Sequence, residues 1–170
     1  MNVRELMTSQ VWTCAPSDSL NDAARLMWDH DCGVLPVVDR NGCVGGIITD
    51  RDICMGAYTQ GADLASLRVA DSMSASPVTC AVGDSVQQAA RRMAEHRLRR
   101  LPVVDEEGKV VGILTINDLA TRAAGSKAGK GLERDVLAVL QAVSKPRGDL
   151  DLVAVPEKDR GRAGGAEAGA

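Results

Sequence analysis

Gly46-Ile47-Ile48-Thr49-Asp50-Arg51-Asp52 returns 66 positions later as Gly112-Ile113-Leu114-Thr115-Ile116-Asn117-Asp118. Sliding the chain by that offset aligns far more than the two heptads. Between Val3 and Ile53, 23 of 51 positions match their partner without a gap. The longest shared run is Leu35-Pro36-Val37-Val38-Asp39 against Leu101-Pro102-Val103-Val104-Asp105. An ungapped period of this kind marks two copies of one structural unit. Each copy is close to the smallest size that folds unaided, so the two are expected to share a core.

Working outward from the heptads, each copy reads β-α-β-β-α. Val3-Arg4-Glu5-Leu6-Met7 and Val69-Ala70-Asp71-Ser72-Met73 are short lead-in turns with one apolar side. Val11-Trp12-Thr13-Cys14 and Val78-Thr79-Cys80 are β-prone, and the first is stopped by Pro16. Ser19-x-x-Asp22 and Ser85-x-x-Gln88 then open helices, because a hydroxyl and a residue three later can satisfy each other's exposed backbone N–H groups. Leu20, Ala23, Ala24 and Met27 share one face of the first helix, as Val86, Ala89, Ala90 and Met93 do in its repeat. The continuous apolar runs Val34–Val38 and Leu101–Val104 suit strands buried on both sides. Turns around Gly42 and Gly108 lead into third strands, Val44–Ile48 and Val110–Leu114, and second helices begin after Thr49 and Thr115.

The fold class is therefore α/β of the α+β kind, two β-α-β-β-α repeats with a helix appended. The expected division is 1–64 for copy one and its connector, and 65–125 for copy two. A linker with an amphipathic helix over Leu132–Ser144 then fills 126–144, and a flexible tail fills 145–170. Leu132, Val136, Val139, Leu140 and Val143 form the apolar stripe of that helix. The linker Gly125-Ser126-Lys127-Ala128-Gly129-Lys130-Gly131 is flexible by composition.

Composition removes several functions. Hydrophobic residues make up 45% and charged residues 25% of the 170, as in ordinary soluble domains. A net charge of −3 and a pI near 5.4 provide no basic footprint for nucleic acid. Trp12, Trp28 and Tyr58 are the only aromatic residues, too few for the stacking platforms of single-strand binders. No apolar run approaches the ~18–20 residues of a membrane span, and the polar start lacks the apolar stretch of a signal peptide. A cytosolic, non-membrane protein is expected. Cys14, Cys32, Cys43, Cys54 and Cys80 are odd in number with no CxxC pair, which reads as free thiols. Cys14 and Cys80 are repeat equivalents, as are His30 and His96, so a metal- or redox-responsive module is one alternative, although the spacing matches no local zinc motif. Catalysis is not expected, since neither histidine has an evident nucleophile as partner.

The chemistry of interest sits at Thr49-x-x-Asp52 and Thr115-x-x-Asp118. Where a strand runs into a helix, free N–H groups and the positive end of the dipole suit a phosphate. A Thr hydroxyl can donate to phosphate oxygen, and an Asp one turn on can accept from ribose hydroxyls. The same pattern is equally that of a helix cap. The copies differ before the second strand, where Cys32-Gly33-Val34 faces Leu98-Arg99-Arg100.

With the LPVVD strand and the strand-plus-helix before it, the heptad in each copy resembles the cystathionine-β-synthase (CBS) domain family over about residues 3–124. The resemblance implies a tandem pair, called a Bateman module, packed about a pseudo-twofold axis. It also implies binding of adenosine ligands (AMP, ADP, ATP or S-adenosylmethionine) in two clefts, with no further cofactor. By the family pattern Asp52 and Asp118 bind ribose, and Thr49 and Thr115 approach phosphates. Thr13, Cys14, Ala15 and Thr79, Cys80, Ala81 hold adenine, Val34 and Leu101 form apolar walls, and basic residues at Arg99 and Arg100 reach the phosphates. The expected role is that of a stand-alone regulatory homodimer that signals to a separate, unknown protein partner. A ligand-independent interaction scaffold is the remaining alternative.

Overall fold

The structure, a computed structural model, describes residues 1–125 and 131–145. The linker expected over 126–130 and the tail expected from 146 onward lie outside the described residues. Copy one contains α1 (Leu20–Asp29), β1 (Val34–Val38), β2 (Val44–Thr49) and α2 (Asp50–Gln60). After the connector, β3 (Ser74–Ala75) leads into copy two. It holds β4 (Cys80–Ala81), α3 (Val86–His96), β5 (Arg100–Val104), β6 (Val110–Thr115) and α4 (Ile116–Gly125). The appended helix α5 spans Leu132–Ser144, the range that the sequence predicts.

Local chemistry sets these boundaries. Ser19 Oγ accepts from Asp22 N at the start of α1, and Ser85 with Gln88 forms a full capping box at α3. β1 and β2 form an antiparallel hairpin that pairs Leu35 with Ile48, and β5 and β6 repeat it with Leu101 opposite Leu114. The hairpin turns need positive φ, and Gly42 (82°) and Gly108 (80°) supply it. The expected first strand is much shorter than predicted. It contracts to a parallel bridge between Cys14 and Val37 in copy one, and to Cys80–Ala81 in copy two. This is an edge strand with one neighbour, and Asp18 and Asp84 take the N–H groups of Ala15 and Ala81 into a turn.

The two copies exchange their lead-in segments. Val3, fully buried, packs in the copy-two core with Leu6 and Met7, and Val3 N donates to Asp84 O. Val69 packs reciprocally in the copy-one core with Leu67 and Met73, and its N–H reaches Asp18 O. The swap continues into the sheets. β3 pairs with β2 of copy one, while Thr8 pairs with Ile113 of β6 in copy two. At the hairpin tips Val44 N donates to Gly108 O and Val110 N to Gly42 O. The unit boundary at 64/65 therefore cuts the chain at a place where the two cores interleave.

α5 breaks the pseudo-symmetry. Leu132, Val136 and Val139 are buried in the copy-two core, where α5 covers α3 and α4. Ala90 of α3 is 1% exposed, whereas its repeat partner Ala24 on α1 is only half-buried. The copy-one helical face keeps Trp28, Met55 and Tyr58 in solvent, with Trp28 87% exposed. No helix among the described residues is long and apolar enough to cross a membrane.

Candidate functional site

Two clefts of about 900 and about 830 Å³ open between the copies. Both are large enough for a nucleotide-sized ligand. One holds the α4 helix start: Thr115, Ile116 and Asn117 face Gln10, Val11, Trp12, His30 and Val34. The other holds the α2 helix start: Thr49, Asp50, Arg51 and Asp52 face Ser76, Pro77, Val78, Arg97 and Leu98. Gly33, Arg99 and Arg100 border both, so the start of β5 forms the ridge between them.

Each Thr-x-x-Asp is a working cap. Asp52 Oδ2 accepts from Thr49 N (2.9 Å) and Thr49 Oγ1 (2.7 Å), and Asp52 N donates to Thr49 Oγ1 (3.2 Å). Asp118 repeats this with Thr115 at 2.8, 2.7 and 3.3 Å. The cap occupies one carboxylate oxygen, Oδ2. Oδ1 makes no hydrogen bond within the described residues. Both carboxylates are half-buried at a strand–helix junction, Asp52 in the cleft lining and Asp118 behind Thr115, so a cap and an acceptor for hydroxyls are chemically compatible.

Arg99 is exposed and Arg100 half-buried, and neither side chain makes a hydrogen bond or ion pair within the described residues. Their repeat equivalents are Gly33 and Val34, which leave that space open. Arg100 Nη1 reaches to 3.9 Å from where a Cβ on Gly33 would stand, and Asp50 Oδ2 lies 3.1 Å from the same point. The Thr49 cleft gathers Arg51, Arg97, Arg99, Arg100 and Lys145 against Asp50 and Asp52. The Thr115 cleft has Arg99 and Arg100 against Asp31. The Arg99 and Arg100 guanidinium groups are suited to forked contacts with phosphate.

The expected adenine segments sit elsewhere. Cys14 and Cys80 are buried in the two cores, and Leu101 is fully buried. Ala15 N and Ala81 N are taken by Asp18 and Asp84, and Thr79 O accepts from Arg92 Nη1. The Thr13–Ala15 and Thr79–Ala81 segments line neither cleft, and the residues just before each, Gln10–Trp12 and Ser76–Val78, do so instead. Val34 and Thr115 line one cleft, Thr49 and Asp52 the other, and Arg99 and Arg100 both, while Asp118 stands just behind the cleft wall through its bond to Thr115.

Sequence reasoning overlooked Trp12. Its ring stacks on His30 with centroids 3.6 Å apart and planes 8° from parallel, at the Thr115 cleft. The corresponding residue in the other cleft is Val78. A tryptophan in a chain almost without aromatic residues was the available signal. His30 caps the end of α1, and His96 ends α3.

Burial pushes the Cys14 and Cys80 thiols up to about 12, with the nearby Asp18 and Asp84 carboxylates adding to it. Such thiols are protonated at neutral pH and pack as small apolar side chains. Among the described residues no group of three or more His, Cys, Asp or Glu is arranged to hold a metal.

Comparison with known proteins agrees with this geometry. The CBS domain matches residues 3–56 and 68–125. The CBS domain-containing protein YhcV of Bacillus subtilis is 38% identical over 77% of this chain and 92% of its own. The structure of CBSX2 in complex with AMP superimposes with a TM-score of 0.63 at 33% identity, covering 72% of this chain and 95% of that one. The CBS pair of MJ0100, solved with 5′-methylthioadenosine and S-adenosylmethionine, gives 0.65 at 29% identity over 75% and 98%. Two repeats, two interleaved cores and two Thr-x-x-Asp clefts make the point together: the chain belongs to the CBS domain family, as a tandem pair.

Proposed function

We propose that this CBS pair is a regulatory sensor that binds an adenosine ligand in the clefts between its copies and acts on a separate protein. The observation that carries the reading is the Arg99–Arg100 ridge, unpaired within the described residues and bordering both clefts beside the two helix starts. Arg99 and Arg100 meet the phosphates, Asp52 and Asp118 accept from ribose hydroxyls through Oδ1, and Thr49 and Thr115 stand beside the phosphates. The base lies against Gln10–Trp12 in one cleft and Ser76–Val78 in the other. Trp12 provides an aromatic platform that Val78 does not, and the Thr49 cleft carries more positive charge, so the clefts differ in ligand preference. AMP in CBSX2 and S-adenosylmethionine in MJ0100 support the ligand class.

Signalling follows from the shared ridge. A ligand that touches both copies favours the relative arrangement it binds best, by no more than its differential affinity. The protein works as a cytosolic homodimer whose contact is the uncovered α1–α2 face with Trp28, Met55 and Tyr58, since α5 covers the equivalent face of copy two. Isothermal titration with AMP, ADP, ATP and S-adenosylmethionine, paired with melting temperature, tests the proposal. Ligand that binds only the folded state must raise the melting temperature with concentration. The completed caps at Asp52 and Asp118 favour the second reading, a ligand-independent scaffold. Silence from every adenosine ligand in both assays would establish it.

A further inference from the structure

α5 lies outside the family match, which ends at residue 125. Its first three turns are fastened to α3 and α4 by Leu132, Val136 and Val139, 1%, 8% and 0% exposed. The last turn keeps Val143 against the same core and also reaches the clefts. Leu140, Val143 and Ser144 line the Thr115 cleft, while Val143 and Lys145 line the Thr49 cleft. Leu140 is 46% exposed, and Val143 is half-buried against the edge of the copy-two core, so the end of the helix is less deeply anchored than its start. Val143 thus joins Gly33, Arg99 and Arg100 as a residue common to both clefts.

We infer that the last turn of α5 is a third wall of the ligand clefts, and that an anionic adenosine ligand clamps it there, so that the seating of α5 reports occupancy. This rests on the adenosine-ligand reading above. Lys145 brings another positive charge to a cleft that already holds Arg51, Arg99 and Arg100, against Asp50 and Asp52. Without an anion these cations repel Lys145 and loosen the helix end. A polyphosphate between them converts repulsion into a bridge from β5 to α5. The partial negative charge of the last helical carbonyls opposes this, but it is about half an elementary charge against the full charge of Lys145. In the other cleft Leu140 and Val143 present apolar surface in the same cavity as Trp12. Because coupling is reciprocal, a ligand that binds better with α5 seated must stabilise the seated helix by the same factor.

The test is hydrogen exchange on the full-length protein, followed in peptides covering 137–145, with ATP and with adenosine as probes. Titration of the parent and of Lys145→Glu runs alongside. ATP is expected to slow exchange in the last turn of α5 about tenfold, within the ordinary range of coupling. Adenosine, lacking phosphates, should do much less. Lys145 is exposed, so its replacement leaves folding intact. Lys145→Glu should weaken ATP severalfold, leave adenosine unchanged and abolish the α5 protection. If ATP binds by titration while α5 exchanges at the same rate with and without it, α5 is a static cover and the inference fails, with the adenosine reading intact. Parental ATP affinity in Lys145→Glu overturns it as well. Absence of binding by either probe removes both readings together.

Discussion

Asp118→Asn and Asp118→Ala separate a helix cap from a ribose acceptor. In the structure Oδ2 of Asp118 takes two hydrogen bonds from Thr115, and Oδ1 remains available. Asn keeps an oxygen for the cap and is about as good there as Asp, whereas Ala loses it at about 1 kcal/mol. For a chain of this size that loss lowers the melting temperature by roughly 2–4 °C. A ribose hydroxyl bonded to a charged acceptor is worth about 1.5–3 kcal/mol, so Ala should weaken nucleotide binding at this cleft about tenfold to a hundredfold. With its one oxygen kept for the cap, Asn presents an NH2 donor where Oδ1 accepted, so the ribose acceptor is lost and affinity should fall about tenfold or more, with little change in melting temperature. Isothermal titration with AMP and adenosine, beside differential scanning calorimetry, reads both quantities. The decisive signature is Asn: lower affinity at unchanged stability. If Ala lowers the melting temperature while both variants bind every adenosine ligand as the parent does, Asp118 is a cap alone and the ribose assignment is wrong.

Replacing both Arg99 and Arg100 by Ala should weaken ATP by more than tenfold and adenosine hardly at all, because only phosphate contacts are lost. Equal losses for the two ligands would remove the phosphate role. Cys14 and Cys80 titrate near 12 in the folded protein against 9.0 when unperturbed. Between those values the unfolded chain has released protons that the folded one still holds, so stability must fall as pH rises above about 9. The slope is up to ~1.4 kcal/mol per pH unit for each thiol. Cys14→Ala with Cys80→Ala should flatten that decline in urea titrations, and an unchanged slope would refute the assignment. Gly112→Ala places a Cβ 2.5 Å from Met7 Sδ and 3.1 Å from the Thr8 carbonyl oxygen. The backbone contact cannot yield easily, so a loss of about 1–3 kcal/mol in chemical denaturation is expected; a loss under half of that would mean the Met7–Thr8 segment is loosely held. Trp28→Asp, at an exposed site, should convert a sedimenting dimer to monomer without lowering the monomer's stability. A dimer that persists moves the contact away from α1 and α2.

The repeat, the element order and the limits of α5 were legible in the sequence because each rests on local pattern. Caps at Ser19, Ser85, Thr49 and Thr115, glycines at 42 and 108, and apolar periodicity act over a few residues, and they act the same way wherever the chain goes. Residues that converge from one strand–helix junction, such as Thr49 with Asp52, were legible for the same reason. The family resemblance added the role of Arg99 and Arg100, which spacing alone leaves as a basic strand edge.

The exchange of the lead-in turns was not legible. Val3 and Val69 are the same residue in equivalent turns, and either core accepts either one. Local chemistry therefore has no preference, and only the path of the chain decides that Val3 reaches Asp84 and Val69 reaches Asp18. Which part of the first β-prone run lines each cleft was not legible for a related reason. The β-prone run suggested a strand through Cys14, but the chain dives into the core there, so the residues that face the cleft are those before it. A stripe of Leu132, Val136 and Val139 says that α5 covers something apolar. That it covers copy two and not copy one, and ends where both clefts meet, depends on tertiary contacts with α3, α4 and the start of β5, which no periodicity records.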